Sequence, residues 1–491
     1  QLRFIMKKSE TKSCTTDQDR HTDVVTDKPA NESRRAFMAT SALLGAAGAV
    51  GLGLNPTTVF AKDGGLKRSG ASGFEPLEVN SPMARWKKPQ PLEFVEAATK
   101  RYSFPNWQSG NDDSVFYNLN IPSFFKSRVV AAPDQFSVLE RDIQADLLDL
   151  TFTNLDGSTN PPLRDYLVGP RQVQAMMMAH KGKVVFETYP GMNPMDYHVW
   201  MSASKTTAGL VISTLANEGK IDLDKPVSTY APELAGSAWD NITVKNTMNM
   251  AVALDNEETF ESLVDPKSWI SSFFTSVFTG GDDPSAWRKL LKGAQPLPKE
   301  KPGDRFRYST SNTQVLVLIA EHITKLSWEQ YWNERVWSKI GARNPFIVGL
   351  TPDGTPVAGG LIFTTVEDML RYAMIYTPSW NVVAEEKIVS DELLKQVQTL
   401  GDPAAYQNST ELAYGQRWFG ETPALNTAQW DHAFEDGAMF KHGNMGQGIY
   451  VDPARDFCGV YFGLATNDEK IAGVDHSPGY LRAAAKKLAG G

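Results

Sequence analysis

Strand-forming patterns stand at both ends of the region that begins at residue 172. Residues 172–178 and 183–188 are rich in β-branched and other apolar residues, and the turn between them contains Gly182. Residues 448–451 and 457–464 flank a polar turn in the same manner. Apolar runs joined by a short turn that contains glycine or proline are typical of β-hairpins. The pattern therefore predicts one hairpin near each end of this region.

Helix-forming patterns lie between and beyond the two predicted hairpins. Residues 202–217 place Leu210 and Leu215 on one side, and Gly219 stands just past the end of this run, as at the end of a helix. Further helices are predicted at 313–324, at 369–376 and from Ser477 onward. Together the elements predict an α+β fold: an antiparallel sheet built from both ends of the chain, with flanking helices and an inserted, mostly helical domain at about 230–355.

The first 61 residues have the layout of a twin-arginine export signal. Arg34-Arg35 precedes a mildly apolar run, 39–54, and Ala61 provides a small residue for a signal peptidase,. A membrane anchor is the alternative, but the run is short and weakly apolar for a spanning helix. We therefore expect a signal that starts at Met6, export by the twin-arginine machinery to the periplasm or beyond, and no stable membrane anchor.

The remainder of the chain divides into two parts. Residues 62–130 are rich in Gly, Pro, Ser and aromatic residues without clear periodicity. They predict an extended N-terminal segment, which we place at 62–165. The main domain is then expected at 166–491.

Composition narrows the possible function classes. The 491 residues include 49 Lys and Arg and 57 Asp and Glu, with a net charge of −8, and no basic run suited to nucleic acid is present. Of the two cysteines, Cys14 lies in the predicted signal, so Cys458 would be left without a disulfide partner. There is no CxxC, HExxH or dinucleotide-binding glycine pattern. We expect neither a metal nor a cofactor.

The pattern Ser-x-x-Lys occurs three times, at Ser9, Ser123 and Ser202, and only the third opens a predicted helix. A serine at a helix N-terminus gains from the positive end of the helix dipole, and Lys205, three residues on, lies on the same face. A desolvated lysine there can have its pKa lowered enough to accept the serine proton. The alternative is that Ser202 only caps the helix and Lys205 is a solvated surface charge.

Several segments in a fixed order resemble the penicillin-recognising serine enzymes, over roughly residues 170–465. The first resembles the nucleophile segment and the second the helix end and loop of class C β-lactamases and their esterase relatives. The third resembles the segment that carries the catalytic tyrosine of that family. In the same order, the three segments are Trp200-Met201-Ser202-Ala203-Ser204-Lys205-Thr206, Asn217-Glu218-Gly219-Lys220-Ile221-Asp222-Leu223 and Pro302-Gly303-Asp304-Arg305-Phe306-Arg307-Tyr308-Ser309. The resemblance implies Ser202, Lys205 and Tyr308 as catalytic residues.

The tyrosine segment departs from the family pattern. Members often have Tyr-x-Asn, whereas Thr310 follows Tyr308-Ser309 here, and literal matches occur at Tyr331 and Tyr406 in unsuitable settings. The displaced Asn312 is similar to the variant in the 6-aminohexanoate-dimer (nylon-oligomer) hydrolase branch. A phenol beside a cationic Lys205 would have its pKa lowered and could act in acid–base catalysis.

Lys441-His442-Gly443 stands where the family has Lys-Thr-Gly on the strand beside the active site. The resemblance implies that these three residues bind substrate, with Lys441 or His442 either contacting a substrate carboxylate or steadying Tyr308. His442 in place of threonine favours the esterase and amidase branches over true β-lactamases. The backbone amides of Ser202 and Asn444 would form an oxyanion hole. A strand-edge histidine without a catalytic duty is the alternative for His442.

The resemblance implies an exported serine hydrolase that cleaves a small ester or linear amide through an acyl-enzyme on Ser202. A D,D-peptidase or β-lactamase acting on cell-wall-type substrates is the alternative enzyme. Because residues 246–255 depart from the Thr-Ser-Gly-Leu run that is usual in relatives, a non-catalytic envelope binding protein of the same fold is a third possibility.

Overall fold

The computed structural model describes residues 76–490, and the predicted export signal lies outside them. Strands β1 to β11 are, in chain order, Ser127–Val130, Val173–His180, Lys183–Thr188, His198–Val199, Phe346–Gly349, Ile362–Thr364, Leu425–Thr427, Trp430–Ala433, Met439–Gly443, Gln447–Asp452 and Phe457–Gly463.

Helices α1 to α18 of the described residues are Leu92–Arg101, Phe104–Trp107, Asp112–Asn120, Leu163–Tyr166, Lys205–Asn217, Val227–Tyr230, Val244–Met248, Phe260–Val264, Trp269–Phe278, Ala286–Gly293, Thr310–Thr324, Trp328–Arg335, Val366–Met374, Asp391–Thr399, Pro403–Gln407, Glu411–Phe419, Glu469–Ala472 and Ser477–Leu488. Short 3-10 helices are found at Pro82–Lys87, Ile121–Ser123, Ala145–Asp149, Met201–Ser204, Pro232–Leu234, Ala238–Asn241, Trp337–Lys339, Pro378–Val382 and Pro453–Arg455. Within residues 76–490, no helix has the length and apolar character needed to cross a bilayer.

Seven strands form the main sheet, in the order β3-β2-β11-β10-β9-β8-β7. All neighbouring pairs are antiparallel, and the central pair aligns Val460 with Met177. The strands come from residues 173–188 and 425–463, so the prediction of an antiparallel sheet from both ends of an α+β chain is confirmed.

Both faces of the main sheet are buried. Successive side chains of a strand point to opposite faces, and Met177 accordingly joins one apolar cluster while Met176 and Met178 join another. Helix α13 packs on the first face and α18 on the second. Because two cores need apolar partners from the same strand, β2 is a continuous apolar run instead of an alternating one.

A second sheet of four strands, in the order β1-β5-β6-β4, was not predicted. Strand β5 lies inside the span of about 230–355 that the sequence predicts to be mostly helical, where helices α7 to α12 are also found. These strands have two to four residues each, and runs this short carry little periodic signal. The sheet pairs the N-terminal segment with the helical region through β1 and β5.

The described part of the N-terminal segment differs from the predicted extended chain, because it contains helices α1 to α3. Each of the last two begins at a capping side chain. The Ser103 hydroxyl accepts a hydrogen bond from the Asn106 amide, and the Asn111 side chain accepts one from the Ser114 amide. Caps of this kind stabilise helix starts, but helices of four and nine residues are too short to reveal themselves by periodicity,.

Candidate active site

Ser202 lies in the 3-10 turn Met201–Ser204 that leads directly into α5. Met201 has a φ of +47°, which is uncommon for a residue with a side chain,. The turn is held from β6, because the Trp200 amide donates to the Ile362 carbonyl (2.8 Å) and the Trp200 indole donates to the Thr364 hydroxyl (2.7 Å). The half-buried Ser202 is thus presented by a fixed backbone at the positive end of a helix,.

Lys205 is fully buried beside Ser202. Its Nζ donates to the Ser202 hydroxyl (2.9 Å), the Thr310 hydroxyl (2.9 Å) and the Gly359 carbonyl (2.6 Å). Burial lowers the pKa of Lys205 to about 7, against the opposing attraction of the Glu258 carboxylate. None of its three hydrogen-bond acceptors is charged. A neutral amine at this position can accept the Ser202 proton near neutral pH.

Tyr308 lies close to both lysines of the site. Lys441 Nζ donates to the Tyr308 hydroxyl over 3.1 Å, and that hydroxyl also shares a hydrogen bond with Ser202. The ammonium nitrogens of Lys205 and Lys441 lie 5.2 and 4.6 Å from the centre of the tyrosine ring, within the range of cation–π attraction.

The pKa of Tyr308 is raised, so the predicted lowering was wrong. Burial raises this pKa well above 10, and the nearby carboxylates of Asp431 and Glu258 raise it further. The prediction considered Lys205 alone and left out desolvation, which disfavours a phenolate. Tyr308 is therefore a protonated phenol that can pass a proton on, while Lys205 is the group suited to remove one.

Asp431 is a member of the site that the sequence did not reveal. Both of its carboxylate oxygens accept hydrogen bonds from Lys441 Nζ, at 2.7 and 2.8 Å. The register that pairs His432 with Phe440 places Asp431 across from Lys441 on the neighbouring strand, so the two side chains share one face of the sheet. A lone acid in the apolar strand Trp430–Ala433 was the only available signal.

The end of β9 approaches the Ser202 turn closely. A Cβ atom on Gly443 would lie 2.5 Å from the Trp200 carbonyl oxygen, a separation that only glycine permits,. Asn444 follows Gly443 directly, and Ser202 lies two residues after Trp200. The backbone segments that carry the two predicted oxyanion-hole amides, those of Ser202 and Asn444, therefore lie next to each other. The Asn444 side chain donates to Gln108 Oε1.

A family model described as Beta-lactamase matches residues 171–486. This range contains every site residue described above except Gln108. The chain belongs to the beta-lactamase family. It is a serine hydrolase with the beta-lactamase fold, and the family resemblance in its sequence is confirmed.

Three proteins are similar to this beta-lactamase family member in sequence or in structure. The 6-aminohexanoate-dimer hydrolase of Paenarthrobacter ureafaciens is 24% identical over 388 residues, which are 76% of this chain and 91% of that protein. Protein flp of Staphylococcus aureus strain MW2 is 27% identical over 177 residues, 34% of this chain and 32% of that protein. A solved structure from Bacillus anthracis with a provisional 6-aminohexanoate-dimer hydrolase name has a TM-score of 0.62 at 23% identity, covering 77% of this chain and 95% of the other. This last likeness shows a shared fold.

The departure from Tyr-x-Asn has a structural counterpart in this beta-lactamase family member. The Thr310 hydroxyl accepts from Lys205, as described above, in place of a longer asparagine side chain. Asn312 is buried two residues further along α11, where its Oδ1 accepts a hydrogen bond from Asn256 Nδ2 (2.9 Å). Of the tyrosines in the two literal matches, Tyr331 is on α12. Tyr406 stacks on Phe306 near Tyr308, and its hydroxyl pairs with His432 Nδ1 (2.7 Å).

Among the predicted substrate contacts Lys441, His442 and Gly443, the position of His442 needs correction. His442 points to the opposite face of β9 from Lys441, with its Nε2 3.1 Å from Asp475 Oδ2 and its ring 4.4 Å from that of Trp418. Lys441 itself is fully buried against Tyr308 and Asp431. Strand alternation allows only one of two neighbouring side chains to face the site. His442 therefore faces away from Ser202, whereas the substrate contacts of Lys441 and Gly443 stay predictions.

Two further acids flank the cluster. The Glu258 side chain accepts a hydrogen bond from the Thr310 amide, and burial raises its pKa. Burial, reinforced by the charge of Asp431, raises the pKa of Glu411 to about 8. Within residues 76–490, no three His, Cys, Asp or Glu side chains converge as metal ligands would.

Proposed function

We propose that this beta-lactamase family member cleaves a small linear amide or ester through an acyl-enzyme on Ser202. The observation that carries the proposal is the contact of the Ser202 hydroxyl with Lys205 Nζ at 2.9 Å, together with a Lys205 pKa of about 7. A nucleophile in hydrogen-bond contact with a base of matched pKa is the arrangement that acyl transfer requires.

The contacts support a simple sequence of proton transfers. Lys205 takes the Ser202 proton as Oγ bonds to the substrate carbonyl carbon. The Tyr308 hydroxyl gives its proton to the departing nitrogen or oxygen and regains one from Lys205. The amides of Ser202 and Asn444 hold the oxyanion, a contribution of about 3–4 kcal/mol for one donor in other enzymes. Water then attacks the acyl-enzyme by the same route in reverse.

Linear amides are the first substrates to test. The chain aligns with 91% of the length of a 6-aminohexanoate-dimer hydrolase, and the Thr310 and His442 departures separate it from the Tyr-x-Asn and Lys-Thr-Gly patterns of true β-lactamases. We expect short linear amides and p-nitrophenyl esters to be hydrolysed, and a fluorescent penicillin to leave Ser202 unlabelled.

The decisive experiment is labelling with a fluorophosphonate probe. Wild-type protein should be labelled and the Ser202→Ala variant should not. Absence of labelling in the wild type, or equal labelling of both, would overturn the proposal. Stable acylation by the penicillin would instead favour the D,D-peptidase or β-lactamase alternative.

We also propose export to the periplasm or the medium by the twin-arginine machinery, which the Arg34-Arg35 pair and the apolar run 39–54 support. A reporter joined to residues 1–75 should leave the cytoplasm. The same reporter with both arginines changed to lysine should stay inside. Retention of the unchanged fusion in the cytoplasm would rule the export proposal out.

A further inference from the structure

Part of the N-terminal segment, outside the residues that the family model matches, contacts the loop that carries Asn444. Gln108 directly follows α2, and its Oε1 accepts a hydrogen bond from Asn444 Nδ2. The loop between β9 and β10 contains two consecutive residues with positive φ, Met445 at +71° and Gly446 at +115°. Positive φ is ordinary for glycine, whereas at Met445 it is a conformation that residues with a side chain seldom adopt.

A second contact fixes the same segment to the neighbouring strand end. Gly110 has a φ of +76°, and a Cβ atom there would lie 2.5 Å from the Thr466 amide nitrogen. The preceding residue, Ala465, donates its amide to the Met445 carbonyl over 2.9 Å. Residues 108–110 thus contact the loop at Asn444 and also the chain that holds the loop at Met445.

Aromatic packing anchors the other end of this segment to the helical region. The Phe104 ring stacks on Phe274 and Phe278 of α9, with centroids 5.8 and 5.4 Å apart. Trp107 contacts Phe278 edge-on at 6.4 Å, and its indole donates to Asn118 (2.7 Å). Aromatic pairs in these geometries stabilise beyond their buried area. The segment therefore has a fixed place between the helical region and the Asn444 loop.

We propose that residues 103–110 form a fixed wall beside the oxyanion hole and that Gln108 is a positioning residue, which holds the Asn444 loop in its productive conformation. The inference rests on the proposed function, because it assigns the Asn444 amide to the oxyanion. Misplacement of a catalytic group by about 1 Å can cost about 100-fold in rate. Since Gln108 acts through Asn444, its loss should lower kcat while KM changes little.

The test is a double-mutant cycle on the full chain, with turnover of a p-nitrophenyl ester as the readout. Gln108→Ala and Asn444→Ala should each lower kcat about tenfold, and the double variant should lose no more than either single variant. Gln90→Ala is the matched control, because among residues 76–490 its side-chain amide bonds only the Arg85 and Lys88 carbonyls. Unchanged kcat in Gln108→Ala, or losses that add in the double variant, would overturn the inference.

Gly110→Ala tests the wall independently of the hydrogen bond. It should lower kcat in the same way, because the added Cβ displaces the segment from Thr466. Gly157→Ala is its control, since Gly157 has a similar φ of +83° but no atom of the described part of the chain within 4 Å of the added Cβ. Equal kcat in these two glycine variants would also contradict the proposal. The two proposals fail in different ways. If the wild type shows no Ser202-dependent turnover, the proposed function is wrong. If the wild type turns over the ester no faster than Gln108→Ala, only the role of Gln108 is wrong.

Discussion

Lys441 Nζ donates a hydrogen bond to the Tyr308 hydroxyl over 3.1 Å while both carboxylate oxygens of Asp431 accept from the same nitrogen. Lys205, whose Nζ lies 5.2 Å from the centre of the same phenol ring, donates to three neutral acceptors. Of the two buried lysines, Lys441 thus has a carboxylate as hydrogen-bond partner and Lys205 does not. This difference suits Lys205 to exchange a proton with Ser202 and Lys441 to hold Tyr308 in place.

Activity should rise with pH around the pKa of Lys205. Because burial lowers that pKa to about 7, the neutral amine predominates above pH 7 and the ammonium form below it. We expect kcat/KM for a p-nitrophenyl ester to rise between pH 6 and pH 8 with a midpoint near 7. Lys205→Arg, which cannot lose its proton at these pH values, should be inactive throughout. A flat wild-type profile over this range would contradict the role of Lys205.

Removal of the Tyr308 hydroxyl should impair catalysis without unfolding the protein. We expect Tyr308→Phe to lower kcat by about 10²- to 10⁴-fold, the usual contribution of a positioned acid–base group. Tyr331→Phe is the matched control, because the buried Tyr331 hydroxyl has no hydrogen-bond partner within the described residues. Steady-state kinetics and thermal unfolding of both variants check this prediction. Equal activity of the two variants would exclude Tyr308 from the chemistry.

The sequence predicts those features that repeat a pattern. The two hairpins follow from apolar runs joined by turn residues, the helix after Ser202 follows from periodicity, and the order of the motifs identifies the family. Asp431 escaped notice because its partnership with Lys441 depends on cross-strand register, which a single acid in a four-residue strand does not reveal. The direction of the Tyr308 pKa was missed for a similar reason, since burial and the Glu258 charge arise only when distant segments meet.

The N-terminal segment shows the same limit. Its richness in Gly, Pro and Ser indicates an extended chain, yet Ser103 and Asn111 each cap a helix there. Capping is a local signal that three or four residues carry, and it is easily overlooked without a periodic run behind it. The hydrogen bond between Gln108 and Asn444 joins residues far apart in sequence, so no local pattern predicts it.

Breaking the Asp431–Lys441 pair on one side should destabilise the protein strongly. Their side chains are 4% and 0% exposed, and removal of one partner from a buried ion pair costs about 3–5 kcal/mol. We expect Asp431→Asn to lower the free energy of unfolding by about this amount, measured by denaturant titration. The double variant Asp431→Asn, Lys441→Met should recover part of the loss, because no unpaired buried charge is left. A double variant less stable than Asp431→Asn would show that the pair does not behave as a buried ion pair.

His442 should affect stability more than catalysis, because its side chain faces away from Ser202. Its Nε2 pairs with Asp475, which also accepts hydrogen bonds from the hydroxyls of Tyr166 and Tyr461. We expect His442→Asn to lower the free energy of unfolding by about 1–3 kcal/mol, the cost of a lost partner for a buried group. Its kcat/KM should stay within about threefold of wild type, since interactions absent from the transition state do not change the rate. Denaturant titration and ester hydrolysis measure the two effects separately. A large loss of kcat/KM at unchanged stability would instead place His442 in the active site, as the family resemblance first implied.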